Sequence, residues 1–130
     1  MLDHIGFAVA DYAASKDFYT RALAPLGYGL VMEVTPEMTG VADAWHAGFG
    51  AQGKPSFWIG TGKGIGGGLH VAFCAQTRGA VDAFHAAALA AGARDNGAPG
   101  LRPHYHKDYY GAFVIDRDGH NVEAVCHKPS

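Results

Sequence analysis

The sequence predicts an α+β fold of two βαβββ modules in tandem, whose sheets curve to form a cleft. Two observations carry this. LDHIGFAVADYAASKDFYTRALAPLG near the start is echoed without a gap by GLHVAFCAQTRGAVDAFHAAALAAGA, so that His4 falls on His70, Phe7 on Phe73 and Phe18 on Phe84, each 66 residues on. Self-similarity at a fixed spacing marks repeated supersecondary units. Between the copies, residues 60–68 hold six glycines in nine positions, which reads as a flexible hinge. Residues 1–130 then form a single domain, with module one at 1–60, the hinge at 60–68 and module two at 69–130.

In module one, residues 2–9 alternate, with Ile5, Phe7 and Val9 on one face and His4, Gly6 and Ala8 on the other, the pattern of a half-buried strand. Asp11 caps the helix that follows, and Ala14, Phe18 and Ala22 recur on its sheet side until Pro25 and Gly27 end it. Residues 28–35, 43–49 and 55–60 read as three strands, the middle one weakest. Module two repeats the scheme. A strand over 69–75 leads to a helix over 77–91, with Thr77 as cap and Phe84, Ala88 and Leu89 toward the sheet. A short segment near 93–98 precedes the loop PGLRPHYHKD, and strands over 109–115 and 121–126 are joined by DRDGH, whose Asp-Gly step is a hairpin signal. Gly62, Gly64 and Gly67 satisfy G-x-G-x-x-G, but a strand follows them where a dinucleotide site requires a helix.

With 48% hydrophobic and only 17% charged residues, the chain has a real core to bury and lies far from disordered composition. Its formal net charge of -2 gives no electrostatic pull toward nucleic acid or an anionic membrane. No apolar run approaches the roughly 18 residues of a membrane span, and no basic leader precedes the first strand, so the expected location is cytoplasmic. Cys74 and Cys126 sit in apolar strand-like runs and read as buried free thiols.

Strand parity sends His4 and His70 away from the helices, over the small residues Gly6, Ala8, Ala72 and Cys74. In the last strand Val122, Ala124 and Cys126 form the helix-side stripe, which leaves Glu123 and Val125 on the open face. A carboxylate inside an apolar strand is costly unless it is paired or coordinated. Two readings fit these residues. His4, His70 and Glu123 converge on a divalent metal of the Fe, Mn, Co, Ni or Zn type, two imidazoles and a carboxylate leaving positions open for substrate. Alternatively, the histidines are relics of the duplication, bonded to backbone, and Glu123 pairs with a Lys or Arg.

Tyr105, His106, Tyr109 and Tyr110 stand in or beside the long loop, flanked by Arg102 and Lys107. Tyr110 is the better candidate for the cavity if it shares the open face with Ala112 and Val114. His106 and Tyr110 are accordingly the candidate proton-transfer residues, the alternative being solvent-fringed loop aromatics. Arg102 and Lys107 suit a substrate carboxylate, and equally a solvated loop.

LDHIGFAV with its helix ending DFYTRALAPLGYG, the internal GLHVAFCA and the terminal YYGAFVIDRDGHNVEAV together resemble the vicinal oxygen chelate superfamily, the glyoxalase, bleomycin-resistance and extradiol-dioxygenase group, over essentially the whole chain. The resemblance implies paired modules forming a metal-binding cleft, with His4, His70 and Glu123 at its ligand positions. It further implies a metal-dependent, glyoxalase-like enzyme, a lyase, isomerase or dioxygenase that takes a small substrate through adjacent oxygens. The alternatives within the group are a thiol transferase of the fosfomycin-resistance type and a non-catalytic ligand-binding protein of the bleomycin-resistance type. Glyoxalase I enzymes use a fourth protein ligand, a carboxylate. The repeat offset puts Phe57 in its place, and residues 49–62 contain no Asp or Glu. The resemblance also implies a homodimer, with the site either inside one chain or exchanged between two, since a glycine hinge permits both closures.

Overall fold

The computed structural model describes residues 1–130. Module one runs β1 (Ile5–Ala8), α1 (Tyr12–Leu23), a 3-10 turn (Ala24–Leu26), β2 (Gly29–Val34), a one-turn helix α2 (Pro36–Thr39), β3 (His46–Ala51) and β4 (Lys54–Gly60). Module two runs β5 (His70–Cys74), α3 (Arg78–Ala90), β6 (Arg94–Leu101), β7 (Tyr110–Ile115) and β8 (Asn121–Cys126). The sheets have the same strand order, β1-β4-β3-β2 and β5-β8-β7-β6, with the first pair parallel and the others antiparallel in each. Two tandem βαβββ modules are therefore present, and the echoed sequence forms the same βα unit twice. No helix is long and apolar enough to cross a membrane.

Local chemistry accounts for the elements. Asp11 and Thr77 accept from the backbone N–H three residues on, of Ala14 and Ala80, and so cap α1 and α3. The buried stripe of α1 is Ser15, Phe18, Tyr19, Ala22 and Leu23; that of α3 is Val81, Phe84, His85 and Ala88. Leu89, expected on the sheet side, lies at the exposed rim, and His85 takes the inward position with Nε2 3.0 Å from Asp95 Oδ1. β3 starts at His46 rather than at 43 because Asp43 adopts φ 62°, a left-handed conformation that cannot extend a strand. The short segment expected near 93–98 is an eight-residue edge strand, β6, which absorbs the start of the loop; Pro99 is tolerated because an edge strand can spare an N–H. Cys126 is buried, whereas Cys74 shares the exposed face with His70; both are free thiols.

One core unites the modules. α1 packs on α3, and the buried cluster takes Phe49, Phe57 and Ile59 from the first sheet and Val114, Val122 and Ala124 from the second. Phe57 meets Phe73 of β5 edge-on at 5.1 Å, and Phe7 of β1 meets His120 at 4.5 Å. The turn between β7 and β8 docks on module one: the Tyr19 hydroxyl donates to Asp116 Oδ2 at 2.5 Å, and the Ala10 N–H donates to Asp118 Oδ1 at 3.0 Å. With the buried stripe of each helix packed into the shared core, the other face of each sheet is turned away from it. Tyr19 is 1% exposed, so Tyr19→Phe leaves one oxygen of a buried carboxylate without its partner. That costs about 1–3 kcal/mol, to be read as a lowered urea midpoint with unchanged slope.

Candidate functional site

Module two builds a half-site on its outward face. The parallel register sets Ala72 beside Glu123, and His70 Nε2 lies 3.1 Å from Glu123 Oε1. His70 Nδ1 is 3.1 Å from the Asn121 carbonyl oxygen, which can only accept, so Nδ1 carries a proton and Nε2 is the nitrogen turned to Glu123. Glu123 is 1% exposed, and its Oε2 accepts from the Tyr109 hydroxyl. Gly111 makes room for that contact, since a Cβ there would come within 3.1 Å of Glu123 Oε2 and 3.2 Å of Tyr109 Cε1. Burial, and then the Glu123 carboxylate, push the Tyr109 phenol well above its ordinary value, so it stays a protonated donor; the Arg102 charge acts in the opposite sense.

This arrangement suits a divalent ion. A carboxylate oxygen and an imidazole nitrogen at this distance are held together by a proton or by a cation between them. A separation of 3.1 Å is also what two ligands about 2.1 Å from one ion show when they subtend close to a right angle. The outer partners are in place too, Asn121 on the imidazole and Tyr109 on the carboxylate.

The third expected ligand is elsewhere. His4 stands on the outward face of module one, with Nδ1 2.7 Å from Asp3 Oδ2, which also accepts from Lys54 Nζ at 2.7 Å. It lines a groove of about 560 Å³ together with Gly6, His46 and Trp58. No group of three or more His, Cys, Asp or Glu side chains comes together within the chain to hold an ion. His70 and Glu123 are brought together, and His4 does not join them. The strand register also corrects the repeat offset: Gly6 pairs with Trp58 as Ala72 pairs with Glu123, so Trp58 rather than Phe57 occupies the counterpart position. The fourth carboxylate is absent there on either alignment. His46 is a second imidazole on this face.

Of the two proton-transfer candidates, Tyr110 faces the helices. It pairs with Cys126 on the helix-side stripe, its hydroxyl donates to Asp82 of α3 at 2.7 Å, and the Arg78 guanidinium lies 5.2 Å over its ring. Ala112 and Val114 are buried in the core on that same side, so the condition for Tyr110 to face the cleft is not met. Tyr109, one residue earlier, points the other way and takes the place next to Glu123. The signal was present in the sequence: a turn over 116–120 sets Ile115 opposite Asn121 and hence Tyr110 opposite Cys126. His106 is on the rim, exposed, with Nδ1 accepting from the Asp108 N–H and Nε2 2.8 Å from His127 Nδ1. It reaches the half-site only through the Tyr109 ring, 5.5 Å away.

The architecture has counterparts among solved structures. A glyoxalase/bleomycin resistance protein from Albidiferax ferrireducens T118 is 28% identical, with a TM-score of 0.75 over 96% of this chain and 97% of that one. A glyoxalase/bleomycin resistance protein/dioxygenase family enzyme from Burkholderia phytofirmans PsJN is 19% identical, with a TM-score of 0.69 over 97% and 98%. Glyoxalase I from Zea mays is 19% identical, with a TM-score of 0.70 over 95% of this chain but 43% of that one. The last two likenesses concern the fold. A search among curated proteins gave no match. The family model of the Glyoxalase/Bleomycin resistance protein/Dioxygenase superfamily matches residues 1–124, nearly the full length of both modules, and with the strand order and the open sheet faces described above the chain belongs to that superfamily.

Proposed function

We propose that the protein is a metal-dependent, glyoxalase-like enzyme that takes a small oxygenated substrate through two adjacent oxygens. The observation that carries this reading is the buried Glu123 facing Nε2 of His70 at 3.1 Å, with the ring oriented through Nδ1 by the Asn121 carbonyl. His70 and Glu123 would hold the ion together with His4 from a second copy of the chain, in a C2 homodimer with exchanged modules. Outward sheet faces, exposed Leu2 and Met32 and the unpaired edges of β1 and β5 support such an assembly. When bound, an ion of the Fe, Mn, Ni, Co or Zn type supplies Lewis acidity toward neighbouring substrate oxygens. The Asn121 carbonyl orients His70. Tyr109 holds a proton at its hydroxyl, next to the ligand carboxylate, where a developing oxyanion can receive it. His106 packs on the Tyr109 ring and, with His127, steadies it at the rim.

The test is metal reconstitution of the purified protein with Fe(II), Mn(II), Co(II), Ni(II) and Zn(II), followed by metal analysis. About one ion per chain is expected, reduced in His70→Ala and Glu123→Gln. Full occupancy in both variants, or no uptake of any of the five ions by the wild type, overturns the reading; the latter leaves a ligand-sequestering protein. Oxygen-dependent turnover with Fe(II) identifies the dioxygenase type, and oxygen-independent turnover with the other ions the lyase or isomerase type.

A further inference from the structure

Arg102 follows β6 on the same outward face as the half-site, and its guanidinium is fixed without being neutralised. One terminal nitrogen donates to the Gly100 carbonyl at 2.9 Å and the other to the Ala98 carbonyl at 2.8 Å. The group lies 5.4 Å over the Phe113 ring, and Phe113 stacks on His70 at 6.3 Å and 26°. Gly97 permits this placement, since a Cβ there would come 3.0 Å from the Phe113 ring and 3.2 Å from the guanidinium. No carboxylate pairs with Arg102, whereas Arg21 and Arg117 each have an aspartate within 4 Å. Its backbone N–H donates to the Tyr109 carbonyl at 2.7 Å, so the loop that aims Tyr109 also anchors this residue.

The row of side chains across the sheet gives the direction. Gly97, Phe113 and Glu123 are register partners on successive strands, followed by Ala72 of β5. Strands lie about 4.8 Å apart, so β6 is roughly 10 Å from the strand that carries Glu123. A guanidinium with two of its five N–H groups used offers the remaining donors in a planar fork, the geometry that matches a carboxylate. It carries one uncompensated positive charge, which balances a monoanion and leaves a phosphate dianion half neutralised.

We propose that Arg102 is a specificity-determining residue that binds a carboxylate carried by the substrate several bonds from the oxygens presented to His70 and Glu123. This rests on the reading of the half-site given above as regards the reacting oxygens, but the anion subsite itself requires no metal. The substrate class is thus an oxygenated monocarboxylic acid whose carboxylate is remote from the reacting oxygens.

The probes are 3-(3,4-dihydroxyphenyl)propionate and its uncharged primary amide, titrated calorimetrically into wild-type, Arg102→Met and Arg102→Lys protein, each in metal-loaded and metal-free form. The wild type is expected to prefer the carboxylate by about tenfold, within the range of charge-assisted hydrogen bonds. Arg102→Met should bring that ratio to about one while leaving amide affinity unchanged, which also reports an intact fold; Arg102→Lys should retain part of the preference. A ratio near one in the wild type, including failure of both probes to bind, overturns the proposal, as does an undiminished ratio in Arg102→Met. An unchanged ratio in protein whose affinity for both probes is indifferent to metal overturns the metal-chelation reading and leaves the Arg102 subsite standing.

Discussion

Mixing a His4→Ala chain with a Glu123→Gln chain is expected to restore metal binding that neither chain has alone. His4 lies on the outward face of one module and the His70–Glu123 pair on that of the other, and the core between them is filled by α1 and α3. An ion held by all three residues therefore draws His4 from a different chain. Each variant by itself breaks every site in its homodimer. Loss of a direct ligand should exceed the about 10–100-fold typical of losing an outer partner. In a mixed dimer one of the two sites receives intact His4 from the Glu123→Gln chain and intact His70 and Glu123 from the other. Random exchange at equal amounts thus recovers about a quarter of the sites of a two-fold dimer. Metal analysis after co-refolding and dialysis measures the recovery. Two inactive parents with no recovery in the mixture rule out the exchanged site, and two parents with full occupancy rule out the ligand assignment.

The second large effect concerns the fold. Phe57→Ala is expected to destabilise the protein by about 3–5 kcal/mol, as phenylalanine truncations in well-packed cores do. Phe57 is 3% exposed and touches four aromatic rings: Phe7 at 5.5 Å, Tyr19 at 4.9 Å, Phe49 at 6.2 Å and Phe73 at 5.1 Å. Those neighbours come from β1, α1, β3 and β5, so the cavity opens where the modules meet and no single side chain can collapse into it. For a domain whose whole stability is about 5–15 kcal/mol, the loss takes a large share. Urea unfolding followed by tryptophan fluorescence measures it, and a change below about 1 kcal/mol contradicts the bridging role of this ring.

That His70 and Glu123 share a face was legible because strand parity is a local property. Alternation alone put His70 and Glu123 on one face of module two; among their neighbours, Tyr109 stands in place of Tyr110 and His106 lies out on the rim. The exchange of Tyr109 for Tyr110 came from register: a one-residue choice across the β7–β8 hairpin moves every side chain to the opposite face. The same one-residue uncertainty made Phe57 rather than Trp58 the counterpart of Glu123, because the ungapped repeat does not carry through the loops between strands. Arg102 was visible as a loop cation, but its fixation depends on carbonyls of β6, a strand whose glycines and proline hid it from pattern reading.

By itself, then, the sequence determined the two βαβββ units, the faces of their first and last strands and the residue types available on each open sheet, since alternation, capping and turns act within a few residues. How the modules meet was decided only in three dimensions. The Phe57–Phe73 contact, the Tyr19–Asp116 hydrogen bond and the packing of α1 on α3 join residues far apart in sequence. Packing the helix-side faces of both sheets into one core is what separates His4 from His70 and Glu123, and no local pattern encodes that choice.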